Sequence, residues 1–312
     1  MSAAFRLGII GGGRMGRTHL RALADSQDVV CVAVAEPFEP SADELREQGY
    51  TVYATVAELL AAGGIDGVII AAPTDQHLEL AVQVIEAGVS VLCEKPFGLS
   101  SPAAREAAAL AVERGVALQI AYWRRFIPEL VTLREDIATG KLGAVQLLIC
   151  SQWDEAPPAA SFRNHSGGLF LDMGVHEINQ MLWLLDERVV DVTAVAGPVS
   201  TDPQAPEDFD SAQALLTLED QSTVMVSLGR YYPGGDVVTA ELFGSKGHRL
   251  VEVVSPATGE APQLEALRLQ AEAFARFARG GACEGTTAIE AADVIDIAQQ
   301  LTDSARIAVL SD

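Results

Sequence analysis

A short apolar run, Phe5-Arg6-Leu7-Gly8-Ile9-Ile10, breaks at once into Gly11-Gly12-Gly13-Arg14-Met15-Gly16, and that into a helical pattern through Leu20 and Leu23. Few local structures need glycine at positions 11, 13 and 16 together. A buried strand, a turn too tight for a side chain and a helix packed close on the strand satisfy all three. The middle position lets backbone approach a pyrophosphate, and the helix start turns its N–H groups and positive dipole end the same way. The chain is therefore expected to open with a dinucleotide-binding unit. Its loop residues are Gly11, Gly13, Arg14, Met15 and Gly16, with Arg14 able to reach a phosphate.

The next segments keep the same alternation. Val29 to Val34 reads as a second strand that ends at Glu36, roughly 20 residues past Gly16, where a carboxylate takes adenosine ribose hydroxyls. A 2′-phosphate would meet like charge there, so NAD is expected rather than NADP. A third strand, Ile65 to Ala71, leads to Pro73, Thr74 and His77, at the strand end where the nicotinamide half belongs. Strand Val89–Cys93 then runs into Glu94-Lys95-Pro96. Strands alternating with helices predict an α/β domain with a doubly wound parallel sheet of the Rossmann type, covered on both faces.

After Tyr122 the pattern changes, so residues 1–122 are expected to form the cofactor domain and 123–312 a second, α+β domain. Strands are expected at 143–151, 189–197, 211–218, 222–229, 237–243 and 248–254. Short turns join most of them, which predicts a large, open and mainly antiparallel sheet. A helix at about 168–185 interrupts them, and Pro198 to Pro206 reads as a loop. Two tail helices follow, free to pack back on the first domain. Leu264, Leu267, Ala271, Phe274 and Phe277 mark one buried face, and Ile289, Ala292, Ile295, Leu301 and Ala305 the other.

Composition removes several classes of function. The 312 residues carry a net charge of −22, from 43 acidic against 21 basic side chains, which repels nucleic-acid phosphate. Four cysteines, Cys31, Cys93, Cys150 and Cys283, are far apart without a CxxC pair, and no metal-ligand spacing is present. No signal peptide and no apolar run of about 18 residues is seen, so a cytoplasmic protein without a membrane span is expected.

The chemistry centres on three residues. Asp172 and His176 lie four apart in an otherwise apolar helix, so both project from one face. An acid and a histidine in such a helix need a partner or a task. A carboxylate can orient an imidazole and stabilise its protonated form. Lys95 follows a parallel strand at the end where ligands bind, which places it where cofactor and substrate would meet. Hydride transfer from a carbinol needs a group to take the hydroxyl proton, and Lys95 and His176 both suit that role. Arg124, Arg125 and Asp154, with Trp153, are candidates for a substrate's polar groups. His19, His165 and His248 read as structural or solvated.

Taken together, these pieces resemble the glucose-fructose oxidoreductase / inositol dehydrogenase / MocA family over nearly the whole chain. The resemblance rests on Gly11–Gly16, Ala72-Pro73-Thr74 with His77, Glu94-Lys95-Pro96, Arg124-Arg125-Phe126, Gly167-Gly168 before Asp172-Met173-Gly174-Val175-His176, and Phe243-Gly244-Ser245-Lys246-Gly247. It implies a Rossmann domain followed by an open-sheet domain that pairs subunits into dimers or tetramers. It also implies catalytic roles for Lys95, Asp172 and His176, and a ring polyol or sugar as substrate. The inositol dehydrogenase branch is the most similar. That branch commonly has aspartate where this chain has Glu177 and Asn179, and a Tyr-Gly-Tyr run where this chain has Tyr231 to Gly235. Two other classes fit the same fold: a nucleotide-binding regulator without turnover, and an NAD-dependent glycosidase in which oxidation is transient.

Overall fold

The structure is a computed structural model and describes residues 3–197 and 208–310, so the expected Pro198–Pro206 loop lies outside the described residues. In chain order the elements are β1 (Phe5–Ile10), α1 (Arg14–Leu23), β2 (Val29–Ala35), α2 (Glu39–Glu47), β3 (Val52–Tyr53), α3 (Val56–Ala62), β4 (Gly67–Ile70), α4 (His77–Glu86), β5 (Ser90–Glu94), α5 (Ser101–Arg114) and β6 (Leu118–Ala121). Then come α6 (Pro128–Ala138), β7 (Val145–Trp153), α7 (Ala160–Arg163), α8 (Val175–Leu185), β8 (Val189–Ala196), β9 (Ser211–Leu218), β10 (Thr223–Gly229), β11 (Val237–Gly244) and β12 (Gly247–Val254). The tail holds α9 (Ala261–Ala278), β13 (Thr286–Thr287) and α10 (Ala288–Leu310).

The chain divides into two compact units. The first takes residues up to Trp123 together with Leu264–Asp293. Its sheet runs β13-β6-β5-β4-β1-β2-β3, with β6 through β3 parallel and β13 added antiparallel at the edge. The central strands β4 and β5 are buried at every position, the mark of parallel strands covered on both faces. Helix α5 shows how the connections are punctuated: the Ser100 side chain accepts from Ala103 N–H, Pro102 sits in the first turn, and Gly115 closes the helix in the left-handed region at φ 65°. Leu7, Ile9, Ile69 and Leu92 form the core with Ala271 and Phe274 of α9. Phe274 meets Phe5 edge to face, ring centroids 6.0 Å apart. Burial of a ring like this contributes on the order of 2–3 kcal/mol, so the tail helix is an integral part of this core.

The second unit takes Arg124–Gln263 and the chain from Val294 on. Its sheet runs β12-β11-β7-β10-β9-β8. All pairings are antiparallel except β7 with β10, which are parallel. The mainly antiparallel expectation holds, and the parallel pair arises because the long excursion through α7 and α8 lets the chain re-enter in the same direction. Burial alternates along the strands: Ala194, Ala214, Val226, Cys150, Ala240 and Val251 share one register row and are all buried. The next row, on the opposite face, holds Leu215, Met225 and Leu250, which are exposed, together with Glu241. Helix α8 lies against β7 and α6 against β12.

Two expectations need correcting. Ile289 was expected on the buried side of the last helix, yet it is exposed, whereas Ala292, Ile295, Leu301 and Ala305 are buried. Position 289 stands in the first turn, off the stripe that 291, 292, 295 and 298 define. The helix expected at 168–185 is not uniform. Phe170–Gly174 forms a π-turn, and regular α-helix begins only at Val175. The short strands β3 and β13, two residues each, carry too little pattern to be read from sequence.

Candidate active site

The glycine loop has the shape its sequence implies. Gly11 adopts φ +97°, and a Cβ there would meet the Ala71 carbonyl oxygen at 2.7 Å. A Cβ on Gly16 would collide with the Gly11 carbonyl oxygen, which is how the helix packs close on the strand. Gly13, by contrast, has open space: a Cβ there would meet nothing within 4 Å. Gly13 caps α1 without any side-chain hydrogen bond to the helix start. The first N–H groups of α1 therefore have no side-chain cap, beside backbone a diphosphate can approach. Arg14 is exposed and Met15 half-buried at that helix start. The residues fit a dinucleotide.

Glu36 follows β2 and is buried. One carboxylate oxygen accepts from Gly12 N–H at 2.6 Å and the other from Phe38 N–H at 2.8 Å. The acid is thus fixed beside the loop by two backbone donors, and Gly12, which the sequence reading passed over, holds it there. A carboxylate has about four lone-pair sites, so two bonds leave capacity for hydroxyl donors.

Thr74 and His77 are buried after β4, and Pro73 is exposed. The two ring nitrogens of His77 lie 2.8 Å from the carbonyl oxygens of Pro96 and Ala72. His77 is thus buried and bonded rather than solvated. The ring ties the loop after β4 to the turn after β5, and its polar atoms are engaged by protein carbonyls. At that second turn Glu94 is buried, Lys95 half-buried, and the Lys95–Pro96 peptide is cis. Glu94 Oε1 lies 2.7 Å from His19 Nε2, and Oε2 accepts from Lys95 N–H at 3.3 Å.

In the second unit Asp172 sits within the π-turn and His176 in the first turn of α8, both buried. Asp172 Oδ2 accepts from Arg230 Nη1 at 2.9 Å. Arg230 directly follows β10, is fully buried, and also reaches Asp208 at 3.0 Å. Arg163 of α7 completes the network, with Nε 2.8 Å from Asp208 and Nη2 3.1 Å from Asp210. Three carboxylates and two guanidiniums thus share one buried cluster around Asp172. The sequence reading missed Arg163, Asp208, Asp210 and Arg230. A usable hint was an arginine placed directly after an apolar strand, but nothing in local spacing connects it to Asp172.

Arg124 and Arg125 are not surface arginines. Arg124 bonds Glu177 Oε2 at 2.6 Å and Gln152 Oε1 at 2.7 Å, and Arg125 bonds Asn179 Oδ1 at 3.2 Å. Gln152 in turn donates to Asp154 at 3.1 Å. Glu177 and Asn179, two of the positions where the chain differs from the inositol dehydrogenase pattern it resembles, are therefore bonded to the arginine pair. Burial raises Asp154 above the usual aspartate range, and the nearby Asp236 and Asp172 charges add to this, against the Gln152 hydrogen bond and the Arg230 charge. Burial likewise raises Glu177, opposed by Arg124. Trp153 donates from its ring nitrogen to Ser227 at 3.1 Å. His248 pairs with Glu241 in a solvated setting, and His165 is exposed.

Residues 5–122 match the model of an oxidoreductase family with an NAD-binding Rossmann fold, and residues 130–249 match the GFO/IDH/MocA C-terminal domain. The rhizopine catabolism protein MocA of Rhizobium meliloti is 44% identical to this chain, over 96% of it and 94% of the relative. A myo-inositol dehydrogenase of Streptomyces leeuwenhoekii is 34% identical, over 88% of each chain. The crystal structure of a myo-inositol dehydrogenase from Corynebacterium glutamicum matches with a TM-score of 0.88 at 25% identity, covering 98% of this chain and 97% of that one.

Proposed function

The chain belongs to the Gfo/Idh/MocA oxidoreductase family, and we propose that it oxidises a CH–OH group of an inositol-like ring polyol or sugar with NAD. The observation that carries this reading is the start of α1, uncapped by side chains and open over Gly13, with Glu36 fixed alongside. The polyol class is supported by the myo-inositol dehydrogenase among its relatives.

Bound NAD supplies the acceptor for a hydride from the carbinol carbon. The protein's task is to place the substrate and take the hydroxyl proton. Lys95 and His176 are the proposed proton acceptors, with Asp172 orienting His176. Burial of Asp172 and His176 and the Arg230 bond to Asp172 support this assignment, because a buried carboxylate held by a fully buried guanidinium is fixed in direction. Arg124, Arg125 and Asp154 are proposed to recognise substrate hydroxyls. The cofactor-binding assignment covers Gly11, Gly13, Arg14, Met15, Gly16, Glu36, Pro73, Thr74, His77, Glu94 and Lys95, with Glu94 and His77 acting by holding the strand-end turns.

A panel of ring polyols and aldoses, read by NADH absorbance, tests the reading. Net NADH with at least one inositol-like polyol is expected. NAD binding without net NADH from any of them would overturn it.

We propose further that two copies pair through the open sheet face that carries Leu215, Met225 and Leu250, and that the protein works in the cytoplasm. All four cysteines are free thiols, which suits a reducing compartment. Among the described residues no helix is long and apolar enough to cross a membrane.

A further inference from the structure

His19 was expected to be structural or solvated, and it is wholly buried. It stands on α1, the helix that the glycine loop opens, three residues past Gly16. Its Nε2 reaches Glu94 Oε1 at 2.7 Å, across 75 residues of sequence. In the sheet, β4 lies between β1, which leads into α1, and β5, which ends at Glu94. The contact therefore spans a whole strand to join the two ends. A carboxylate only accepts, so the hydrogen in this bond sits on Nε2, and Glu94 takes Lys95 N–H on its other oxygen at 3.3 Å. His19 Nδ1 is buried and has no hydrogen-bond partner among the described residues.

Stability alone does not explain this arrangement. A buried ring with one satisfied nitrogen, set against a buried carboxylate, carries desolvation costs that an apolar pair of similar size avoids. What the pair does supply is a fixed two-bond link from the nucleotide helix to the backbone of Lys95.

We propose that His19 is a positioning residue for Lys95, acting through Glu94. It sets the direction of the Glu94 carboxylate, which in turn holds the Lys95 N–H and so the point from which the lysine side chain departs. This rests on the proton-accepting role proposed for Lys95.

The test is a double-mutant cycle of His19→Leu and Lys95→Ala in the full-length protein, with kcat, KM, NAD affinity by fluorescence and thermal melting measured for each. His19→Leu should lower kcat roughly 10- to 100-fold, since misplacing a reacting group by about 1 Å costs about that much. NAD affinity should stay within about twofold. His19→Gln should restore most of the loss, because its amide nitrogen can donate where Nε2 does. In the Lys95→Ala background His19→Leu should cost nothing further in kcat. Glu94→Leu gives a second route that leaves His19 untouched. A leucine accepts from neither His19 Nε2 nor the Lys95 N–H, so this variant should melt as a folded protein yet turn over slowly.

Unchanged kcat in His19→Leu, or the same fold-loss with and without Lys95, would overturn the inference while leaving the role of Lys95 standing. If His19→Leu does not fold, full activity of Glu94→Leu would overturn it. Near-normal turnover of Lys95→Ala alone would overturn the proposed role of the lysine, and this inference with it.

Discussion

Replacing Arg230 with methionine takes a fully buried cation away from two carboxylates at once. Arg230 reaches Asp172 at 2.9 Å and Asp208 at 3.0 Å. Asp208 keeps Arg163 at 2.8 Å and the Phe209 N–H at 2.9 Å, so it remains compensated. Asp172 loses the guanidinium that holds it, and the cluster of three carboxylates and two guanidiniums goes from one excess negative charge to two. Removing one partner of a buried ion pair costs about 3–5 kcal/mol, because the remaining charge stays out of water without its counter-ion. Urea unfolding followed by circular dichroism should show that loss for Arg230→Met at pH 7. Adding Asp172→Asn removes the carboxylate charge that has lost the Arg230 guanidinium, so the double variant should recover at least ~1 kcal/mol relative to Arg230→Met. A variant within about 0.5 kcal/mol of the native protein, or a double variant no more stable than the single one, would refute the claim that this cluster is electrostatically coupled.

Three further outcomes are expected. Glu36→Ser should narrow the preference for NAD over NADP by removing the like-charge clash with a 2′-phosphate, read as the ratio of kcat/KM for the two cofactors; equal use of both by the native protein would contradict this. Leu215→Glu with Met225→Glu, on adjacent strands of the open face, should convert an oligomer to a monomer by light scattering at micromolar concentration, and a monomeric native protein would remove the basis for it. Asp236→Asn should move the acid limb of kcat/KM to lower pH: the Asp236 charge helps to hold Asp154 above the usual aspartate range, so its removal lets Asp154 ionise earlier as pH rises, and an unmoved limb would count against a role for Asp154 in its ionised form.

What the sequence made legible was what local pattern encodes. The spacing of Gly11, Gly13 and Gly16 after an apolar run is a demand on backbone geometry, and the loop meets it with a positive φ at Gly11 and open space over Gly13. Strand alternation gave the second sheet to within two residues at most strand ends, since each strand buries one face. The π-turn was not legible, because five residues of Phe170–Gly174 carry the same apolar signal in either helix type. The Arg163–Asp208–Arg230–Asp172 cluster was hidden for another reason: its members come from α7, the segment before β9, the end of β10 and the π-turn, and tertiary pairing alone relates them. His19 was read as structural or solvated and is buried; its partner was not legible, since a lone histidine in an amphipathic helix gives no sign of a carboxylate at the end of another strand.

Turnover by Lys95→Ala tests the central claim most directly. Lys95 follows β5 in a turn held by Glu94 and His77, so truncating its side chain leaves those contacts in place. Steady-state NADH formation with a substrate polyol should fall by roughly two to four powers of ten, the scale of lost general acid–base catalysis, while NAD titration by fluorescence shows cofactor binding largely intact, because the glycine loop and Glu36 are untouched. Turnover near the native rate, with NAD still bound, would contradict the account.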